Sequence, residues 1–234
     1  MLFKGILGSQ LSGALDGIVA SRNRFGTYFR ARANPVNPAS PRQELVRQSL
    51  AFYATRWSEV LTEAQRLDWE VYAENTPVIG RTGDSIQLTG IDQYVRSCGI
   101  RRYASQQLAL GWTDVDDAPL VFGLPEPAPQ EFAIAGGNPT MSVSFDVLDS
   151  WVGEDDAALL VFVSTPHKAS INFFAGPYLL VDAVLGDATT PPTSPAAVTV
   201  PQPAQTGQRI FVQTRVTRAD ARLSSPFRGR AVAT

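Results

Sequence analysis

Between residues 111 and 130 the chain carries four prolines (Pro119, Pro125, Pro127, Pro129) and three aspartates (Asp114, Asp116, Asp117). Each proline lacks a backbone donor, fixes its own φ and pushes the preceding residue out of the helical region, so neither a helix nor a central strand runs through such a stretch. The chain on either side therefore folds as two patterns. Before the stretch, apolar residues recur at helical spacing; after it they alternate or run together, as strand residues do. The predicted class is α+β. An extended arm and basic β-hairpin occupy 1–40, a helical hub 41–112, a proline-rich linker 113–130 and an all-β antiparallel sandwich 131–234.

The helical hub has clear start signals. Ser40 suits an N-cap, Pro41 the first helical position and Gln43 the third position of a capping box. The spacing predicts a helix from 41 to about 60, with Val46, Leu50, Tyr53, Trp57 and Val60 on one stripe. Thr62 and Gln65 repeat the signal for a second helix to about 74, presenting Ala64, Leu67 and Val71 with Trp69 and Tyr72 beside them. A small turn excursion is expected around 80–84. Thr89 then caps a third helix to about 109, carrying Ile91, Tyr94, Val95 and Cys98. Gly99 inside it costs about 1 kcal/mol relative to alanine. In the last hundred or so residues, strands are expected at 141–147, 157–163, 178–185, 197–200, 209–217 and 229–233.

Residues 1–17 hold Gly5, Gly8, Gly13 and Gly17 among scattered leucines. Such a composition does not close a core of its own, and reads as a loose tail or as a strap that orders on a partner. Residues 18–22 and 27–32 read as strands flanking Asn23-Arg24-Phe25-Gly26, whose Asn and Gly supply turn chemistry. Period-two alternation puts Tyr28, Arg30 and Arg32 on one face and Thr27, Phe29 and Ala31 on the other. A lone two-stranded hairpin is marginal in water, so this one needs a surface to lie against. Pro35, Pro38 and Pro41 then stiffen the strap that follows.

The net charge of -2 conceals an asymmetry: residues 1–112 carry 13 Lys/Arg against 9 Asp/Glu, and residues 113–234 carry 7 against 13. The single cysteine, Cys98, excludes an intrachain disulfide and reads as a buried structural thiol. The single histidine, His167, reads as a solvated loop residue. Glu154-Asp155-Asp156 lacks the spacing of a calcium loop and reads as a solvated turn, and no nucleophile elbow or phosphate loop occurs. No enzyme is therefore expected, and no catalytic residue, metal ligand or cofactor is assigned. No run approaches 18 apolar residues, and no hydrophobic region of signal-peptide quality forms near residue 1, so the expectation is a protein kept in the cytosol unless carried out within something larger. The candidate partner-binding residues are Arg22, Arg24, Phe25, Tyr28, Phe29, Arg30 and Arg32. Their arginines and aromatics suit carboxylates on a partner protein, or phosphates and stacked bases of a nucleic acid. Glu63, Asp68, Glu70 and Glu74 make the second helix acidic, which is wrong for a recognition helix. A third class, glycan binding by the sandwich, draws on Trp151 and Tyr178.

The run GIVASRNRFGTYFRAR at 17–32, then Asn34-Pro-Val-Asn-Pro, Gln43, Trp57 and LTEAQRLDW at 61–69, resembles an N-terminal module of virion-associated proteins of tailed bacteriophages. The resemblance covers about residues 5–110. Residues 207–226, GQRIFVQTRVTRADARLSSP, are similar to the penultimate strand and following loop of fibronectin type III or immunoglobulin-like domains. The early-strand tryptophan usual there is replaced, with Phe145 the aromatic at hand, and Ile210 or Phe211 stands for the usual tyrosine. The resemblance implies a non-enzymatic virion structural protein made in the host cytoplasm. A head decoration or cement role is expected, contacting major capsid protein or other copies of itself, with a tail or head-tail junction role as the alternative.

Overall fold

The computed structural model, which describes residues 2–3, 13–23, 26–34, 36–80, 84–174 and 176–234, divides the chain into two units, Met1–Ser40 and Pro41–Thr234. The first unit is a four-stranded antiparallel sheet of β1 (Leu2–Phe3), β2 (Gly13–Leu15), β3 (Ile18–Asn23) and β4 (Gly26–Ala31), in the order β1-β4-β3-β2. The expected hairpin is its centre, with Ile18 opposite Ala31 and Asn23 opposite Gly26. Residues 1–17 were expected as a tail or strap, yet they supply both flanking strands. The local cause of β2 is Asp16-Gly17, a two-residue turn pair of the kind hairpins favour, with Asp16 at φ 49° and Leu15 paired with Ile18.

The second unit begins with α1 (Pro41–Glu59), α2 (Glu63–Asn75) and α3 (Gly90–Leu108). Thr62 and Gln65 form the reciprocal capping box: the Gln65 amide donates to Thr62 Oγ1 at 3.3 Å and the Thr62 amide donates to Gln65 Oε1 at 3.0 Å. Thr89 caps α3 by accepting the Asp92 amide at 3.3 Å, and Ala109 closes it in the left-handed region at φ 54°. Between α2 and α3, β5 (Val78–Ile79) and β6 (Ser85–Ile86) form a two-stranded ladder at the expected excursion; the turn residues 81–83 lie outside the described ones.

The expected stripes of α1 and α2 are buried only in part: Tyr53 is covered as expected, and the aliphatic members are not. Val46, Leu50, Val60, Leu67 and Val71 are all exposed, and the buried side chains are Ser49 and Tyr53 on α1 and Trp69, Tyr72 and Ala73 on α2. The physical reason is the 113–130 segment, which has no helix or strand yet is no free tether. Asp116 accepts from Arg56 Nε at 2.5 Å and Nη2 at 2.6 Å, and from the Tyr94 hydroxyl at 3.2 Å, while its carbonyl accepts Trp69 Nε1–H at 2.8 Å. Asp114 accepts from the Tyr53 hydroxyl at 2.6 Å and from Arg102 Nη1 at 3.0 Å. An aromatic body with a polar tip is buried stably where that tip finds a partner, and these aspartates supply the partners. Cys98 is fully buried in the same core, its thiol 3.5 Å from the Val115 carbonyl.

Beyond residue 130 lie two antiparallel sheets. One contains β7 (Glu131–Ile134), β8 (Thr140–Ser144) and β11 (Ala196–Thr199), in the order β11-β8-β7. The other contains β9 (Ala158–Val163), β10 (Leu179–Leu185), β12 (Arg209–Thr217) and β13 (Phe227–Val232), in the order β10-β9-β12-β13. Met141, Val143, Val198, Leu159, Val161, Ile210 and Val212 from both sheets form one core. β7 is additional to the expected strands. The expected alternation through Val147 stops at Ser144, because Asp146 accepts the Leu148 amide at 2.9 Å and turns the chain, leaving Val147 exposed.

β9 is buried along its whole length, as its continuous apolar run requires. Leu159 and Val161 face the core between the sheets. Ala158, Leu160 and Phe162 face Ile100, Tyr103 and Ala104 of α3. Arg101 joins α3 to the sheets: buried to 2% exposure, it donates through Nη1 to the carbonyls of Asp156 at 2.7 Å and Arg218 at 3.0 Å. Helices and sheets thus form one folded body.

Candidate partner-binding surface

Four strands in a single layer have two faces, and no other described element belongs to the Met1–Ser40 unit. Among the described residues of Met1–Ser40 none is buried, whereas the three apolar cores are built from residues 52–233. The ladder sorts the faces. Val19 opposite Arg30 and Ser21 opposite Tyr28 share one face, and Ile18 opposite Ala31 and Ala20 opposite Phe29 share the other. One face carries Arg30, Tyr28 and Ser21 beside Val19. The other shows Ile18 at 53% exposure and Phe29 at 37%, an apolar strip that water alone covers poorly.

The candidate residues fall out as follows. Tyr28 is half-buried, and Phe29, Arg30 and Arg32 are exposed. Arg30 is on the Tyr28 face, and Arg32 follows just beyond β4, its amide donating to the Gly17 carbonyl at 2.8 Å. Among the described residues neither Arg30 nor Arg32 has a carboxylate partner. Arg22 lies opposite Thr27 in the ladder, the alternate register position to Arg30. Arg24 and Phe25 lie outside the described residues.

Among the described residues the sheet also has unpaired edge. β1 pairs with β4 only at Thr27 and Tyr28, so no described strand covers Phe29–Ala31 on the side away from β3. β2 likewise pairs with β3 only from Ile18 to Ala20. Such edges offer backbone donors and acceptors to an added strand.

The other candidates change character. Trp151, expected near a loop as a sugar platform, is 2% exposed, with Nε1–H donating to Asp149 at 3.3 Å and its ring 5.1 Å from Phe145. It is core and presents no face to a glycan. His167 is no solvated loop residue: its backbone exchanges hydrogen bonds of 2.8 and 2.9 Å with Arg209, and its ring packs 5.6 Å from Phe211. Pairing with β12 that resumes beyond the end of β9 puts it there. The acidic turn is exposed to solvent at Asp155 and Asp156, as expected, and is also knitted to its neighbours. Glu154 pairs with Arg218 and accepts the Ala219 amide at 2.9 Å, and Asp155 accepts the Ala188 amide at 2.8 Å. Among the described residues no three His, Cys, Asp or Glu side chains cluster as metal ligands do, and no helix is long and apolar enough to cross a membrane.

A second basic surface escapes the sequence reading. On β12, Ile210, Val212 and Val216 face the core between the sheets, which leaves Gln213 and Arg215 on the opposite face. β13 adds Arg228, which sits opposite Gln213 and donates to its Oε1 at 3.3 Å, and Arg230. The half of the chain with excess acid thus gathers arginine on the face of one sheet away from the core between the sheets, Arg228 and Arg230 exposed and Arg215 partly buried. Its signal was the spacing Arg209, Arg215, Arg228 and Arg230, legible only once the pairing of β12 with β13 is known.

No protein-family model, no curated protein and no solved structure matches the chain.

Proposed function

We propose that this chain is a non-enzymatic virion structural protein, a head decoration or cement protein of a tailed bacteriophage, which grips neighbouring capsid subunits through residues 1–40. The observation that carries the reading is a four-stranded sheet without a buried described residue, on a chain whose remaining 194 residues close their own cores. A sheet of this size holds together when a hydrophobic face is covered. The partner covers the Ile18–Phe29 face, adds a strand along Phe29–Ala31 and pairs carboxylates with Arg30 and Arg32. The particle itself comes from the resemblance of residues 5–110 to phage virion modules.

The sheet pair beyond residue 130 is read as a fibronectin type III-like sandwich. Its support is the strand order: three strands as β11-β8-β7 against four as β10-β9-β12-β13, the division into two antiparallel sheets that such domains use. It serves as the outward-facing body that the arm anchors.

The test is incorporation into particles. The full chain co-purifies with heads in a fixed ratio to the major shell protein, and the Arg30→Ala/Arg32→Ala chain, equally soluble and folded, is lost from them. Presence on tails and absence from heads moves the protein to the tail or head-tail junction. Retention of the double variant at the normal ratio refutes the arm as the contact. Binding of duplex DNA that falls steeply with salt and disappears in the same variant replaces the protein partner with a nucleic acid.

A further inference from the structure

Helix α3 crosses the outer face of β9 and β10 with a glycine at its midpoint. A glycine in a helix interior is unfavourable relative to alanine, and it is usually kept where a close neighbour leaves no room for a side chain. Gly99 has no such neighbour: a Cβ built on it meets nothing within 4 Å, although the residue is buried. The missing side chain leaves space instead. A cavity of about 370 Å³ opens between α1, α3 and the sheet, walled by Val46 and Leu50, by Val95 and Ile100, and by Phe162 and Leu180. Val46 and Leu50 are 41% and 47% exposed along it, so two aliphatic side chains of α1 face water where the sequence pattern expects them covered.

One charged residue lines this apolar cavity. Arg96 holds the carbonyls of Leu223 and Ser224 only at 3.5 and 3.4 Å, the long limit of a hydrogen bond. Among the described residues it pairs with no carboxylate. Its charged neighbour is Arg215, which in turn neighbours Arg228. Burial first, and Arg215 second, push the Arg96 guanidinium down to about 10. Two further polar groups nearby lack partners: the hydroxyl of Tyr178, which also lines the cavity, and Nε of Arg215 are both buried without a hydrogen bond. Buried donors without acceptors are costly, and like charges gathered at an apolar wall are more so. An anion corrects both at once.

We propose that this cavity binds a small amphipathic carboxylate, its hydrocarbon body lying over Gly99 between Val46, Leu50 and Ile100, and its carboxylate paired with Arg96 beside Arg215 and Arg228. The cavity volume lies within the ~300–1,000 Å³ range of small-ligand sites. The apolar wall with a few polar groups is the composition such sites have. The charge sets the sign of the ligand, and the bare helix midpoint sets where its body lies.

The experiment is calorimetric titration of the full chain with octanoate and with octanamide, which share the hydrocarbon body and differ in charge. Octanoate binds at one site, and octanamide binds at least about tenfold more weakly, the loss expected for one charge-assisted hydrogen bond. Gly99→Leu fills the cavity and abolishes octanoate binding with an unchanged far-ultraviolet circular dichroism spectrum. Arg228→Ala, on an exposed residue, weakens it several-fold. Should Gly99→Leu fail to fold, nuclear Overhauser effects from octanoate to the methyls of Val46, Leu50 and Ile100 in the unaltered protein locate the ligand. Equal affinity for the two compounds, no octanoate binding at millimolar concentration, binding retained by folded Gly99→Leu, or Overhauser effects to other methyls overturns the proposal.

Discussion

Replacing Asp116 by asparagine tests whether the 113–130 segment is part of the folded body. The carboxylate grips Arg56 with two bonds of 2.5 and 2.6 Å and accepts the Tyr94 hydroxyl at 3.2 Å. Asparagine is nearly isosteric and keeps the backbone carbonyl that Trp69 uses, so the substitution removes charge and little else. Hydrogen bonds to charged groups are worth ~1.5–3 kcal/mol each, and breaking a fully buried pair costs ~3–5 kcal/mol. Both side chains here are about a quarter exposed, at 24% and 25%, and solvent screens part of that energy. The expected loss is about 2–3 kcal/mol. With a urea slope of about 3 kcal/mol/M for a domain of this size, the unfolding midpoint falls by about 1 M at unchanged slope. A double-mutant cycle with Arg56→Ala recovers most of the loss as coupling. A midpoint shift below about 0.2 M, within the error of extrapolation, means that 113–130 is a tether lying against the helices and that the aromatic core stands without it.

The same carboxylate sets an acid limit. Arg56, above all by its hydrogen bond, holds Asp116 below the ordinary carboxylate range. A depressed native pKa means that the unfolded chain takes up the proton first as pH falls. The stabilisation is therefore complete above the unfolded value near ~3.9 and is lost as pH drops below it toward the folded value. Urea midpoints of the unaltered protein fall through that window, and those of Asp116→Asn fall less steeply. Parallel profiles for the two proteins contradict the assignment.

Three further outcomes follow from packing. Gly99→Ala raises stability by about 1 kcal/mol, because the helix gains a better former and the added Cβ meets nothing within 4 Å; a loss in thermal melts means that the space is smaller than described. Gly186→Ala costs about 3 kcal/mol by overpacking, since its Cβ would collide with the backbone carbonyl of Trp151 and lie 2.6 Å from that of Glu154, and a melting temperature unchanged by it refutes that contact. Cys98 is fully buried and its thiol is pushed up by burial, so iodoacetamide labels it at the rate of global unfolding; labelling at the rate of a free thiol places it at the surface.

Much of this architecture is legible locally. Thr62 with Gln65, and Thr89, announce helix starts because a cap is a bond between residues three apart. The run from Ala157 to Val163 announces a strand buried on both faces because seven apolar residues in a row leave no side for water. What is not legible depends on residues far apart in the chain. The period of α1 puts Tyr53 on one stripe with Val46, Leu50 and Val60, yet of these four only Tyr53 is buried, its hydroxyl taken by Asp114 sixty-one residues away. The pattern alone counts tyrosine and tryptophan as ordinary members of a stripe. Their polar tips decide which way the stripe turns, and the partners for those tips lie in a segment whose prolines mark it as a linker.

The same non-locality explains why the two candidate binding surfaces differ in visibility. The hairpin arginines show in the sequence because both strands and their turn lie within 18–32, so period-two alternation alone gathers Arg30 and Arg32 with Tyr28. The cavity needs α1, α3, β9 and β10 brought together, and the arginines beyond Arg96 need β12 laid against β13. Each contributing residue has an innocent local reading: Val46 and Leu50 as core, Gly99 as a kink, Arg215 and Arg228 as solvated strand positions. Their joint departure from those readings is what marks the place. Two aliphatics lie exposed, a Cβ on the glycine meets nothing, and among the described residues Arg96 pairs with no acid, all around one volume. A fold under no demand there takes alanine at position 99 and gains helix stability by it, which makes the titration with octanoate and the melting of Gly99→Ala two independent readings of the same space.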